Sequence, residues 1–362
     1  MMNMKKYMIL AVAALVASVA CTKVENNVAT PDQAISFQVA NYVPQTKAGE
    51  VKFDESKTFN TYAWFHPETG AAQTFMDDET IKWQEATKSW ASDRTYFWPK
   101  TGYVNFFSYA GTPVPAVTDG SATYTDKTIA ITDDALLASA AYRYSNSTAN
   151  KYNLQYGTAN TDVTGVPTLF HHLLSQVSVI VKFDASGITD NKNKWDLTVN
   201  SLALNYDNKG SLTVNFTDPG SIGEAWPYDA AGVNWTPSGA YTKLPATVTA
   251  SVGAVQTATA PSVSAGLTFF DAITVLPQAL TDNATIDLNY TIKHYYNDAV
   301  QIYETVDLPG IKLTEFTTEA ITAWNMNYKY TYTITVKPNS TVTFDPAVEA
   351  WQEKAAGYTI TQ

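Results

Sequence analysis

Along most of this chain apolar and polar residues alternate, in short runs separated by glycine, proline and asparagine. Residues 34–43 set the pattern: Ile35, Phe37 and Val39 alternate with Ser36, Gln38 and Ala40, and Pro44 follows. A period of two with one apolar face predicts a strand with one side in a core, and a proline ends it. Similar runs predict strands over 58–66, 96–98 and 103–109, the last two split by the turn sequence Pro99-Lys100-Thr101-Gly102, and over 122–132. Residues 138–162 are rich in Ser, Asn, Thr and Tyr and read as a long surface loop. After Val166-Pro167 the pattern restarts, with a strongly β segment at 177–183.

The clearest hairpin signal lies at 197–206 and 211–216. Leu202, Leu204 and Tyr206 face one way, Asp207-Asn208-Lys209-Gly210 turns, and Leu212, Val214 and Phe216 return. Residues 220–264 read as loop with one strand near 246–252. Strands follow at 267–276, 285–296, 299–308, 325–336 and 341–344, and the chain ends in an alternating scrap at 357–361. Only 169–175 suggests a helix, of one or two turns. Many short strands with turn residues between them predict an all-β fold, and the restart near 166 predicts two tandem antiparallel β-sandwich domains, 34–165 and 166–362.

The first residues belong to a different pattern. Lys5 and Lys6 precede an apolar run from Tyr7 to Val19, then Ala20 and Cys21. A charged start, a short hydrophobic middle and a small residue before the cut describe a secretory leader over 1–20, too short to span a bilayer. A cysteine directly after the small residue is the pattern for cleavage after Ala20 and lipid attachment at Cys21, although a leucine is more usual where Ser18 stands. Residues 21–33 are polar, carry Pro31 and read as a flexible tether.

Composition narrows the chemistry. The formal charge is −11, and losing Lys5 and Lys6 with the leader leaves −13. No Lys/Arg cluster is present, which argues against nucleic acid. Cys21 is the only cysteine, so a lipidated chain has no thiol left for a disulfide or a cysteine metal site. Motifs for nucleophile elbows, phosphate loops, dinucleotide folds and zinc proteases are missing. His171-His172 is the one histidine cluster. Neighbours on a strand point to opposite faces, so packed rings are expected there rather than a metal site or a general base. Asp77-Asp78 and Asp133-Asp134 lie in turn-like sequence and read as exposed turn acids. Trp98 sits in apolar surroundings and reads as core. Trp83 and Trp90 flank the polar 84–89 and are candidates for stacking on a sugar ring. No catalytic residue, metal or cofactor is expected, and an enzyme is the least favoured class.

Several segments taken together carry a resemblance. Trp90, then Tyr96-Phe97-Trp98-Pro99 and Val104-Asn105-Phe106-Phe107-Ser108-Tyr109, come first. Phe170-His171-His172-Leu173-Leu174-Ser175-Gln176-Val177, Val275-Leu276-Pro277-Gln278 with Tyr290, and Trp324-Asn325-Met326-Asn327-Tyr328-Lys329-Tyr330 with Phe344 and Trp351 follow in order. This set, behind a lipoprotein leader, resembles the fimbrillin family, the type V pilins and fimbrillin-like lipoproteins of Gram-negative anaerobes. The resemblance implies two transthyretin-like β-sandwiches, transport to the outer membrane as a lipoprotein, proteolytic removal of the first strand, and polymers built by donor-strand exchange in an adhesive surface fimbrium. It implies no active site.

The implied route makes demands on this sequence. Residues 34–43 suit the removable strand, with Ile35, Phe37 and Val39 filling the groove. Burying three such side chains is worth about 5–8 kcal/mol. Tyr358 and Ile360 suit the donor, with 341–344 a candidate beside them. The family's cut follows an arginine, and here none precedes Arg94, so Lys47 is the candidate processing site. Two alternatives stand beside this reading: an uncut terminal or anchor subunit that keeps its lipid, and a monomeric surface lipoprotein that binds glycans. The expected partners are other fimbrial subunits, the lipid anchor, and a host or bacterial surface ligand.

Overall fold

A computed structural model describes residues 34–41, 51–99, 101–143, 152–153, 158–159, 165–184, 193–215, 234–246, 250–253, 266–297, 299–315, 321–337 and 342–350. The fold is all-β; the one helical turn among the described residues is Leu313–Glu315. The first half contributes β1 Phe37–Asn41, β2 Val51–Lys52, β3 Thr58–His66, β4 Gln73–Gln84, β5 Ser89–Ser92, β6 Tyr103–Ala110, β7 Ala116–Thr118, β8 Ser121–Thr128, β9 Leu136–Arg143, β10 Tyr152–Asn153, β11 Thr158–Ala159 and β12 Val166–His172. The second half contributes β13 Ser175–Phe183, β14 Asn193–Asp207, β15 Lys209–Asn215, β16 Thr236–Pro237, β17 Tyr241–Pro245, β18 Ala250–Gly253, β19 Leu267–Val275, β20 Gln278–Ala279, β21 Thr285–Tyr296, β22 Ala299–Lys312, β23 Ala323–Trp324, β24 Tyr328–Val336 and β25 Val342–Ala350.

Alternation decides which side chains enter the cores. In β3, Phe59, Thr61 and Ala63 are buried, while Asn60, Tyr62 and Trp64 between them are half-exposed. In the first half the ladders run β9-β12-β1-β5-β4-β3-β6, and β6 pairs with β9, so the wall closes on itself and its main circuit has no free edge. In the second half the sheets β19-β13-β24-β25 and β17-β14-β21-β22 enclose a separate core of Val177, Val179, Val181, Leu204, Tyr290 and Tyr332, among others.

Several elements differ from the sequence expectation. The expected hairpin does not form between β14 and β15: β14 pairs with β21, and β15 crosses to the first half, where Leu212 lies opposite Tyr124 and Val214 opposite Ala122 in β8, while Phe216 lies outside the described residues. Leu212 and Val214 join the first core, whereas Leu202, Leu204 and Tyr206 belong to the second. The turn residues make this crossing. The buried Asp207 carboxylate accepts from the Lys209 N–H at 3.0 Å, the Ser238 hydroxyl at 3.2 Å and the Gly239 N–H. Gln278 clamps the Asp207 backbone from the other side, donating to its carbonyl at 2.7 Å.

The expected helix at 169–175 is strand instead, the end of β12 and the start of β13. There β12 gains a parallel partner, and its backbone groups are used in that ladder. The expected loop at 138–162 begins as β9, with Ala138 and Ala140 buried against β6. Its small residues read as loop yet suit a crowded wall.

Candidate assembly site around the first strand

β1 is built into the wall of the first half. It runs parallel to β12, from Phe37 opposite Val166 to Asn41 opposite Phe170. Upstream, the Ile35 N–H donates to the Tyr96 carbonyl and the Val166 N–H to the Ser36 carbonyl, both at 2.7 Å. Gly165 lets the two backbones approach: a Cβ there would lie 2.9 Å from Phe37 C and Ser36 O. The other side of β1 is held more thinly. It meets β5 at Phe37 opposite Trp90, and β2 at Ala40 opposite Lys52 and Asn41 opposite Val51.

Two of the three predicted groove residues are deep in the core, Ile35 at 5% and Phe37 at 3% exposure. The Phe37 ring meets Phe59 edge-on at 5.7 Å and Phe106 at 5.8 Å. Phe53, Phe170 and Trp90 extend this aromatic nest. Val39 is only half-buried, because β1 and β5 part after Phe37. A cleft of about 630 Å³ opens between them, lined by residues 36–39 on one bank and by Trp83 and residues 87–90 on the other. Near the strand's start, Tyr96 donates its hydroxyl to Glu79; burial first, then this bond and the Glu79 charge, push the phenol up to about 12.

The model of the fimbrillin-like family matches residues 46–351. The chain belongs to the fimbrillin-like family. Among solved structures, a fimbrial protein from Bacteroides vulgatus is 16% identical, with 88% of this chain and 99% of that one covered and a TM-score of 0.52. A candidate cell adhesion protein from Bacteroides uniformis is 15% identical, over 88% and 99%, at 0.44. The fimbrial anchor protein Mfa2 from Porphyromonas gingivalis is 12% identical, over 88% and 98%, at 0.31. No curated protein sequence matches the chain.

In this fimbrillin-like chain the remaining predicted residues fall in several places. Ala20, Cys21, Lys47, Tyr358 and Ile360 lie outside the described residues. Trp90 is 4% exposed, its ring packed on Phe53, Phe59 and Trp83, so it has no face open to a sugar. Trp83 is half-buried and its indole N–H donates to Glu85 at 3.0 Å. Trp98 is in the core, as its surroundings suggested.

His171 and His172 are both buried on β12. Burial, and then His172 beside it, hold His171 well below its ordinary value, while His172 Nδ1 lies 2.6 Å from Asp134. Asp133-Asp134 does occupy a turn, where the Asp133 carboxylate accepts from the Ala130 N–H. Asp77-Asp78 lies instead within β4, which the sequence reading missed together with β5. Asp78 has φ 51° and accepts from Tyr109 at 2.8 Å and Asn60 at 3.0 Å. Among the described residues no group of three or more His, Cys, Asp or Glu is placed to hold a metal, and no helix is long and apolar enough to cross a membrane.

Sequence reasoning also missed Phe53 and Trp235. Trp235 crosses to the first core, lies tilted against Tyr124 with the ring centres 5.5 Å apart and donates to the Leu173 carbonyl at 2.7 Å. A tryptophan in a Pro/Gly-rich stretch that also holds Trp226 was the only available signal.

Proposed function

We propose that this protein is a structural subunit of a cell-surface fimbria that acts in adhesion, exported as an outer-membrane lipoprotein on Cys21 and assembled by donor-strand exchange with other fimbrial subunits. Membership in the fimbrillin-like family supports the fimbrial part. The observation that carries the exchange is the state of β1. It is the first described strand, its ladder to β5 is a single residue pair, and it places Ile35 and Phe37 in the core.

Losing β1 uncovers the β12 backbone edge and the aromatic nest. Two buried side chains of this size are worth about 3–6 kcal/mol, less than three fully buried ones would supply but enough to drive association. An extended segment from another subunit restores both the ladder and the packing, which is β-strand addition. In this reading Lys47, between β1 and β2, is the cut site, and Tyr358 and Ile360 are the donor side chains.

Surface extracts run on a gel with and without heating, followed by N-terminal sequencing, test the reading. The expected result is a heat-sensitive ladder whose subunits begin just after Lys47. A polymer whose subunits all begin at lipidated Cys21 excludes the cut, and a monomer in every unheated extract excludes the fimbrial subunit.

A further inference from the structure

Trp90 has no face open to a sugar, but the solvent side of β3 carries a different aromatic pair. Tyr62 and Trp64 stand two residues apart on that side, half-exposed, with their rings within 12° of parallel and the ring centres 5.8 Å apart. Tyr109 of β6 continues the row, 24° from Tyr62 at 6.4 Å. These spacings are too wide for face-to-face contact, so neither Tyr62 nor Trp64 has its ring face covered by its neighbour in the row. Their polar atoms are also uncommitted. Among the described residues the Tyr62 hydroxyl and the Trp64 indole N–H have no partner. Trp235 and Trp324, by contrast, donate theirs inside the cores, to the Leu173 carbonyl and the Tyr332 hydroxyl.

A bulge brings acid to the same place. Thr61 lies opposite Glu79 and Ala63 opposite Met76, which leaves two exposed residues of β4, Asp77 and Asp78, against the single Tyr62. One Asp78 oxygen accepts from Tyr109 and Asn60. Its other oxygen and the Asp77 carboxylate have no donor among the described residues. Burial first, then Asp78 and Asp77, hold the Tyr62 phenol above its ordinary value, so its hydroxyl keeps the proton. On the other side of β3, Asn105 lies opposite Trp64 at 6% exposure, and its side-chain oxygen is likewise without a donor among the described residues.

β3 is paired along both edges, with β4 and with β6, so it presents side chains here and no free backbone. An extended peptide finds no ladder on it to join. Ring faces bordered by carboxylate and amide oxygens match a sugar instead. Its C–H groups lie against the negative face of an aromatic ring, and its hydroxyls donate to charged and neutral acceptors. Two carboxylates disfavour an anionic sugar, and the nearby Lys82 of β4 is paired with Asp93.

We propose that Tyr62, Trp64 and the Asp77-Asp78 bulge form a binding site for neutral glycans. Both strands lie beyond Lys47, so the site survives the proposed cut, and a fimbria would carry one copy per subunit, multiplying a weak single contact. The inference adds a ligand class to the adhesive role and does not depend on how the subunits join.

The full chain, labelled with a fluorophore, is applied to a printed array of neutral, sialylated and sulfated oligosaccharides, and the strongest neutral binder is then titrated in solution by calorimetry. Binding is expected to neutral glycans alone, weakened about tenfold or more by Trp64→Ala and unchanged by Tyr296→Ala, which removes an exposed tyrosine of β21. If Trp64→Ala lowers the melting temperature, Thr74→Arg takes its place: Thr74 is exposed opposite Trp64, and a guanidinium there covers the indole. No binding to any glycan on the array overturns the site, as does a preference for the acidic sugars or full affinity in the variant. The heated and unheated gel is expected to show the same ladder for wild type and variant. Lost sugar binding with the ladder intact supports a site separate from assembly. A missing ladder with sugar binding intact overturns the fimbrial reading and leaves the site standing.

Discussion

The two halves of the molecule lay their opening strands out in the same way but hold them differently. Each places its opening strand parallel to a later one, β1 along β12 and β13 along β24. β13 pairs with β24 from Gln176 opposite Lys329 to Phe183 opposite Val336, and its other edge pairs with β19 from Ser175 opposite Val275 to Val181 opposite Leu267. Val177, Val179, Val181 and Phe183 are all fully buried. β1 has a shorter parallel ladder and touches β5 at one residue, and Val39 already lies beside a cleft. One arrangement therefore yields a strand with long ladders on both edges and one with a long ladder on a single edge. What distinguishes them is ladder length and the number of inward side chains, quantities that act through hydrogen bonding and burial rather than connectivity.

The largest expected effect comes from placing a carboxylate in each strand. Val179→Asp buries a charge in a strand paired on both sides and should cost more than about 4 kcal/mol, enough to unfold the second half. Phe37→Asp should instead expel β1 and leave most of the β signal in circular dichroism, with new proteolytic sensitivity confined to the first strand. Equal loss of structure in the two variants would break the comparison.

A smaller effect tests whether the halves are separate at all. Leu212 belongs to β15, which follows a strand of the second half and packs in the first core. Leu212→Ala should cost about 2–4 kcal/mol and lower the unfolding midpoints of both halves together. A shift seen by probes in the first half alone would show that the crossing does not couple them.

The smallest effect concerns acid. His171, in β12 beside β1, is held below its ordinary value of 6.5, chiefly by burial. Above that value the ring is neutral in both folded and unfolded chains. Below it the unfolded chain takes up a proton that the folded chain refuses, so stability falls as pH drops, by up to about 1.4 kcal/mol per pH unit. Urea midpoints at about pH 7.5 and about pH 5.5 should differ, with the acid one lower. A His171 ring signal that titrates at its ordinary value would remove the effect.

Alternation made β1, β3, β13 and β24 legible, because each presents one apolar face to a core. It failed at β4, where Asp77-Asp78-Glu79 interrupts the pattern: the register against β3 shifts between Thr61 and Ala63, and Asp78 takes a left-handed conformation. It misled at Asp207-Asn208-Lys209-Gly210, where a good local turn sequence serves a change of sheet. The partner of β15 lies some way back along the chain in β8, and spacing within a segment says nothing about so remote a choice. The core side chains Ile35 and Phe37 were readable from their period. The cleft beside them was not, since it arises from the divergence of β1 and β5, which are far apart in sequence.

The crossing of β15 also bears on how the molecule carries force. Two domains on a single linker pivot freely, and tension between them passes through one peptide thread. Here the ladder from Lys209 opposite Thr128 to Asn215 opposite Ser121, with the Trp235 indole lodged across it, spreads a pull over many bonds loaded side by side. In the proposed fimbria, stiffness would then come from the interior of each unit as well as from the seams between units.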